Sequence, residues 1–109
     1  MSLKFLPNCY QIATGSDDNS VKIWDLRKKG IPVYTIPAHN KLVSDIKFED
    51  EGRIMLTTSF DNKCKIWAAG EWVLVRTLTG HENKITSASI TRDLQYIITT
   101  SFDKTFRLW

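Results

Sequence analysis

The sequence predicts an all-β fold, assembled from a repeated unit of four short antiparallel strands, with about two and a half units in the chain. Three observations predict it. First, three segments align: Ile12–Trp24 (IATGSDDNSVKIW), Met55–Trp67 (MLTTSFDNKCKIW) and Ile97–Trp109 (IITTSFDKTFRLW). Thr and Asp are four apart in every copy (Thr14/Asp18, Thr57/Asp61, Thr99/Asp103), and Asp and Trp are six apart (Asp18/Trp24, Asp61/Trp67, Asp103/Trp109). Second, His39 and His81 each precede their tryptophan by 28 positions, while the Trp-to-Trp periods are 43 and 42. The odd residue therefore falls between a Trp and the next His, which marks a loop, and the His-to-Trp block stays in register as a repeated unit does. Third, the intervening segments are short and rich in β-branched and aromatic residues, with no sustained helical period.

Each element follows from this pattern in order. The first unit opens on a truncated strand ending near Phe5 and continues with strands near Tyr10–Gly15, Val21–Asp25 and Val33–Ile36. In the second unit the strands fall near Leu42–Phe48, Ile54–Thr58, Lys63–Trp67 and Val73–Leu78. Lys63, Cys64, Lys65 and Ile66 alternate with the period of two expected of a strand. Turn formers punctuate the unit at Asp50-Glu51-Gly52 and Phe60-Asp61-Asn62. The third unit supplies Ile85–Ile90, Tyr96–Thr100 and Thr105–Trp109, with Arg92-Asp93 as a turn.

Composition narrows the function classes. With 109 residues, 42% hydrophobic and 11% aromatic, the chain is too apolar for a disordered segment and too short for a multidomain enzyme. The longest uncharged apolar runs are only a few residues, such as Trp72–Val75, and Pro7 cuts the opening Met1–Leu6 stretch, so neither a membrane span nor a signal peptide is expected. Fifteen basic residues against twelve acidic give a net charge of +3, which permits RNA or an acidic protein as partner without demanding either. Cys9 and Cys64 form no Cys-x-x-Cys pair, which argues against a zinc site or a disulfide framework and for a reducing compartment. No phosphate-cradling glycine run is present and no cofactor is expected.

A period of 42–43 residues, four strands per unit, Gly80-His81 before one copy and Trp24-Asp25 ending another resemble the WD repeat family, whose unit is one blade of a β-propeller. The resemblance covers essentially the whole chain. Ala38 stands in place of the glycine before His39, and Ala68 in place of the aspartate after Trp67. It implies a partial propeller over 1–109, with blade units at approximately 1–36, 42–78 and 84–109. Propellers hold about four to eight blades, so the chain is expected to be the end piece of a longer protein. Such a piece exposes two blade faces and is expected to self-associate or to be marginally stable.

Taken alone, His39 with Asp61 and His81 with Asp103 have the look of a general base and its orienting acid, with Thr57, Thr99, Ser59 or Ser101 as nucleophile. A catalytic site would not be duplicated at a 42-residue period. The family resemblance implies instead a hydrogen-bonded structural tetrad in each blade, formed by His39, Thr57, Asp61 and Trp67 and again by His81, Thr99, Asp103 and Trp109, with Thr14, Asp18 and Trp24 as its remnant in the first copy. An indole N–H only donates, a hydroxyl and an imidazole do both, and a carboxylate accepts. Corresponding histidines in adjacent blades lie too far apart to share a metal ion. The chain is therefore expected not to be an enzyme.

Function then falls to surfaces. The resemblance puts the turn before each tetrad Asp on one propeller face, beside the histidine loop, and the residues there are Asp17, Phe60 and Phe102. Aromatic residues are unusual in such turns. Either they are exposed anchors for a protein partner, with Lys41 and Lys84 as steering charges, or each ring folds onto the neighbouring blade. Arg27, Lys28 and Lys29 form the one concentrated basic run, which reads as a solvated turn or as a second, RNA-contacting site without a stacking platform.

The segments IATGSDDNSVKIWDLR, VYTIPAH, FDNKCKIW, TLTGHENKI and SFDKTFRLW are, further, similar to the last blades of the WD-repeat subunits of the U4/U6 small nuclear ribonucleoprotein. That similarity implies a nuclear, non-enzymatic scaffold in pre-mRNA splicing, with other proteins of the same particle as partners. The same fold in ubiquitin ligation, chromatin or signalling is the alternative setting.

Overall fold

A computed structural model describes residues 2–7, 10–15, 19–27, 31–49, 52–68, 72–91 and 96–109. The strands in chain order are β1 (Ser2–Phe5), β2 (Gln11–Gly15), β3 (Val21–Asp25), β4 (Tyr34–Ile36), β5 (Val43–Phe48), β6 (Ile54–Ser59), β7 (Cys64–Ala68), β8 (Val73–Leu78), β9 (Ile85–Ile90), β10 (Ile97–Ser101) and β11 (Phe106–Leu108). No helix occurs among the described residues. The fold is all-β, and the strands lie within one or two residues of the limits the pattern predicts, the uncertainty usual at strand ends. Asp17, Asp18, Lys28 and Lys29, together with Cys9 and most of the Asp50-Glu51-Gly52 and Arg92-Asp93 turns, lie outside the described residues.

Hydrogen bonding joins the strands into two four-stranded sheets, β1-β2-β3-β4 and β5-β6-β7-β8, and one three-stranded sheet, β9-β10-β11. All pairings are antiparallel meanders between sequence neighbours. The register repeats from sheet to sheet. Leu3, Ile46 and Ala88 each lie opposite the repeat threonine, Thr14, Thr57 and Thr99 respectively. A register shift recurs at the same place in the second and third sheets, at Val43/Asp45 and Thr100/Ser101. These are blades of a partial β-propeller stacked face to face.

Two apolar layers fill the spaces between the blades. Ala13, Val21 and Ile23 of the first blade meet Val43, Ile46, Met55 and Trp67 of the second. Leu56, Cys64 and Leu78 on the second blade's other side meet Ile85, Ala88 and Ile97 of the third. Because β6 is covered on both sides, five of its six residues are buried, and its reading is a continuous run, not an alternation. Burial pushes the Cys64 thiol up to about 12, so it packs as a small apolar group. The inner strands are also tied across the second joint by polar contacts. Ser44 Oγ donates to the Ile85 carbonyl (2.7 Å), and Ser87 Oγ donates to Asp45 Oδ2 (2.8 Å).

The turn after the tetrad aspartate needs one residue with positive φ in every copy, supplied by Asn19 (74°), Asn62 (71°) and Lys104 (67°). Asparagine tolerates this region because its short polar side chain bonds locally. Lysine has no such aid, so the third turn is held by its surroundings.

Candidate interaction rim and its supporting hydrogen-bond relay

In the second blade a relay of side chains crosses from the blade interior to its rim. The Trp67 indole N–H donates to Thr57 Oγ1 (3.0 Å), and Thr57 Oγ1 lies 2.8 Å from His39 Nε2. His39 Nδ1 lies 2.9 Å from Asp61 Oδ2. With a neutral imidazole every bond has one donor and one acceptor: Trp67 N–H to Thr57, Thr57 O–H to His39 Nε2, and His39 Nδ1–H to the carboxylate. The third blade repeats the arrangement, with Trp109 to Thr99 at 3.0 Å, Thr99 to His81 at 2.6 Å and His81 to Asp103 at 3.0 Å. In the first blade Trp24 donates to Thr14 Oγ1 (3.0 Å).

The aspartates convert the relay into turn geometry. Asp61 Oδ2 also accepts the Asn40 amide (3.2 Å) and Oδ1 the Lys63 amide (3.0 Å), so one carboxylate fastens the histidine loop to the β6–β7 turn. Asp103 does the same for the Glu82 and Thr105 amides, and it takes the Thr105 hydroxyl as well. Burial raises the Asp61 carboxyl, but the bonds from His39, Asn40 and Lys63 outweigh it and leave the group below its ordinary 3.8. Asp103 is also lowered, first by the Thr105 hydroxyl and then by His81 and the two amides, against some burial.

A carboxyl held below its ordinary value adds stability that is complete above that value and lost as pH falls through the lower folded value. The denaturant midpoint is therefore expected to fall on acidification from about pH 5 downwards, and Asp61→Asn is expected to flatten the fall. An unchanged slope in that variant would remove Asp61 from the account.

Two residues that sequence reasoning set aside as mock nucleophiles prove to be locks. Ser59 Oγ accepts the Asp61 amide (3.1 Å), and its proton is shared between the carbonyls of Leu42 (2.7 Å) and Lys41 (3.1 Å). Ser101 makes the equivalent contacts with Asp103, Lys84 and Asn83. Their equal spacing in the repeat was the available signal. None of these hydroxyls meets an imidazole nitrogen, while Thr57 and Thr99, which do, have no exposed surface.

These locks bring the predicted rim residues together. Phe60 N–H donates to the Leu42 carbonyl and Phe102 N–H to the Lys84 carbonyl, both at 3.0 Å, so each turn is laced to the loop before its inner strand. The two rings lie 6.2 Å apart and tilted by 52°, and Lys84 Nζ sits 4.9 Å over the Phe60 ring. Phe102 is 58% exposed and Phe60 is half-buried. The structure thus combines the two arrangements left open by the sequence: Phe60 leans across the joint and Phe102 stands out from it. Lys41 is exposed on the other histidine loop, after His39.

Arg27 is placed elsewhere. Its guanidinium bonds both Asp25 oxygens (3.1 and 3.0 Å) and stacks 4.0 Å over Tyr10. The bond to Asp25 raises its pKa. Its charge is thus already matched by a carboxylate. Among the described residues no three His, Cys, Asp or Glu side chains converge as a metal would require, and no helix is long and apolar enough to cross a membrane.

Comparison with known proteins agrees with this architecture. The family described as "WD domain, G-beta repeat" matches residues 1–25, 30–68 and 72–109. Protein Notchless of Drosophila melanogaster is 30% identical over 87 residues, covering 80% of this chain and 17% of its own length. DDB1- and CUL4-associated factor 10 of Homo sapiens is 36% identical over 66 residues, 61% of this chain and 12% of its own. Protein HIRA of Dictyostelium discoideum is 30% identical over 131 aligned residues, 99% of this chain and 12% of its own. The chain therefore spans less than a fifth of each of these relatives. Three matched repeats, each closing on a tryptophan bonded to its threonine, establish that the chain belongs to the WD40 repeat family.

Proposed function

We propose that this chain is a non-enzymatic protein-interaction platform whose partner docks on the rim carrying Phe60 and Phe102, and that its setting is the U4/U6 small nuclear ribonucleoprotein in the nucleus. WD40 domains mediate protein–protein interactions. The observation that carries the rim assignment is the ring pair itself: two aromatic turns from different blades in contact, capped by Lys84, with Phe102 standing in solvent. Aromatic anchors beside flexible cations are what protein interfaces concentrate. The hydroxyl and imidazole groups are buried and consumed by the relay, which supports scaffolding over catalysis. The splicing setting rests on the quoted segments Ile12–Arg27, Val33–His39, Phe60–Trp67, Thr77–Ile85 and Ser101–Trp109. The relatives named above carry other names, so a WD40 platform in a different complex is the competing setting.

Affinity purification of the protein from nuclear extract, with small nuclear RNAs quantified, tests both parts. U4 and U6 are expected to be enriched over the other species. Phe60→Ala with Phe102→Ala is expected to cost about 2 kcal/mol or more in partner binding, or at least about thirtyfold in affinity, with the strands retained. A folded bait without U4/U6 enrichment removes the splicing setting. Enrichment that survives the double substitution removes the rim.

A further inference from the structure

The outer strands of the two four-stranded blades are finished differently. β4 is three residues long and is bracketed by Pro32 and Pro37. Short length and flanking prolines are common means of closing a sheet edge to further pairing. β8 has neither. It is six residues long, holds no proline and no lysine, and carries Val73, Leu74 and Val75 at 59%, 42% and 62% exposed. These three belong to one of the longest uncharged apolar runs of the sequence and take no part in the rim. β8 pairs with β7 alone, and among the described residues its backbone makes no bond on the other side.

Neighbouring blades do not cover this edge. The close approaches between sheets run along the inner strands, β1 and β2 against β5, and β5 and β6 against β9. β4 and β8 make no such approach, although both of their blades have all four strands. The sheets thus meet along their inner strands and diverge outward, so a further blade stacks on a face and leaves the outer edge of β8 open. Leu74 lies opposite Trp67, which packs in the joint between these two four-stranded blades, so its exposure arises beside a fully formed neighbour.

An open strand edge presents backbone N–H and C=O groups that another extended backbone satisfies in full. A second β8 is a poor occupant. The register shift at Ile66/Trp67 leaves Val75 without a partner on β7, a bulge that twists the strand, and two such edges would have to match bulge to bulge. Both Arg76 side chains would also lack a carboxylate, since β8 carries none. We propose that the β8 edge is a second docking site, separate from the rim, for an extended segment of a partner protein. The segment adds as a fifth strand, sets apolar or β-branched side chains beside Val73, Leu74 and Val75, and places a carboxylate by Arg76. Main-chain bonds supply the affinity and the side chains the selectivity. The bulge confines the addition to one short strand.

The experiment titrates the isotope-labelled 109-residue chain with the end-capped peptide Thr-Val-Glu-Val-Thr-Val and follows backbone amide shifts. Shifts are expected in β7 and β8, with the Phe60 and Phe102 amides unmoved. Of two peptides N-methylated on alternate residues, one is expected to bind as the parent does and the other about tenfold or more weakly, because only one row of its amides faces the protein. Val75→Asp, at an exposed position without a β7 partner, is expected to weaken binding about tenfold or more, with the strands retained by circular dichroism. Arg76→Glu is expected to weaken it about threefold or more, and a peptide with lysine in place of glutamate to restore it. Shifts centred on the rim, methylated peptides of equal affinity, or no shift at millimolar peptide would each overturn the proposal. So would a native chain that dimerises and is dispersed by Val75→Asp, since the occupant would then be a second copy.

Discussion

Thr57→Val is expected to destabilise the folded chain by about 2–4 kcal/mol in denaturant unfolding, although the two side chains have nearly the same shape. The threonine hydroxyl is the middle of the relay. It accepts the Trp67 indole proton and bonds His39 Nε2, at a position with no exposed surface. Valine leaves two polar groups facing an apolar methyl where water cannot substitute, and each such buried group costs about 1–3 kcal/mol. The loss propagates, because His39 orients Asp61 and Asp61 holds the Asn40 and Lys63 amides that shape the rim. Thr14→Val in the first blade is the internal control. Thr14 and Trp24 are only half-buried, so water replaces much of the lost bond, and a cost of about 1 kcal/mol or less is expected. Equal costs at Thr14 and Thr57 would show that the hydroxyl matters for local strand preference and not for closing the relay.

The relay was legible because each of its members is polar, sits at an invariant spacing and recurs. Two copies of His-Thr-Asp-Trp suffice to pick out the positions, but their joining into one tetrad was what the family resemblance implied, and the valences of the four groups are compatible with it. Strand order was legible for a similar reason, since short connections leave sequence neighbours as sheet neighbours. Exposure was not. Leu56 and Ile98 occupy the same place in the repeat and read alike, yet one is buried and the other bare, because burial belongs to the neighbouring blade and not to the residue. Phe60 and Phe102 pose the same problem in milder form. Their contact depends on how far the two turns approach across a joint, which no spacing within one copy records. The serine locks escaped for the opposite reason: Ser59 and Ser101 recur as faithfully as the threonines, but their bonds run to backbone carbonyls, which carry no sequence identity.

Leu56→Ala is expected to cost about 2–5 kcal/mol and to spend that loss unevenly along the chain. Leu56 is packed between blades in a layer with Cys64, Leu78, Ile85, Ala88 and Ile97, so truncation opens a cavity in the joint and not within one sheet. The other joint, around Val43, Ile46 and Met55, keeps all its atoms. Stacked repeats derive stability from each unit and from each nearest-neighbour interface. Weakening one interface should therefore release the blade beyond it before the rest. Amide hydrogen exchange is expected to accelerate in β9 and β10 while β2 and β3 keep their protection. The polar ties across the same joint, Ser44 to Ile85 and Ser87 to Asp45, limit the release but cannot replace the apolar layer. They fix direction and register, whereas the layer supplies most of the free energy, at roughly 25 cal/mol for each Å² of apolar surface removed from water. If protection fell by the same factor in all three sheets, the blades would be one cooperative unit. The rim would then respond to any core substitution and not only to those beneath Phe102.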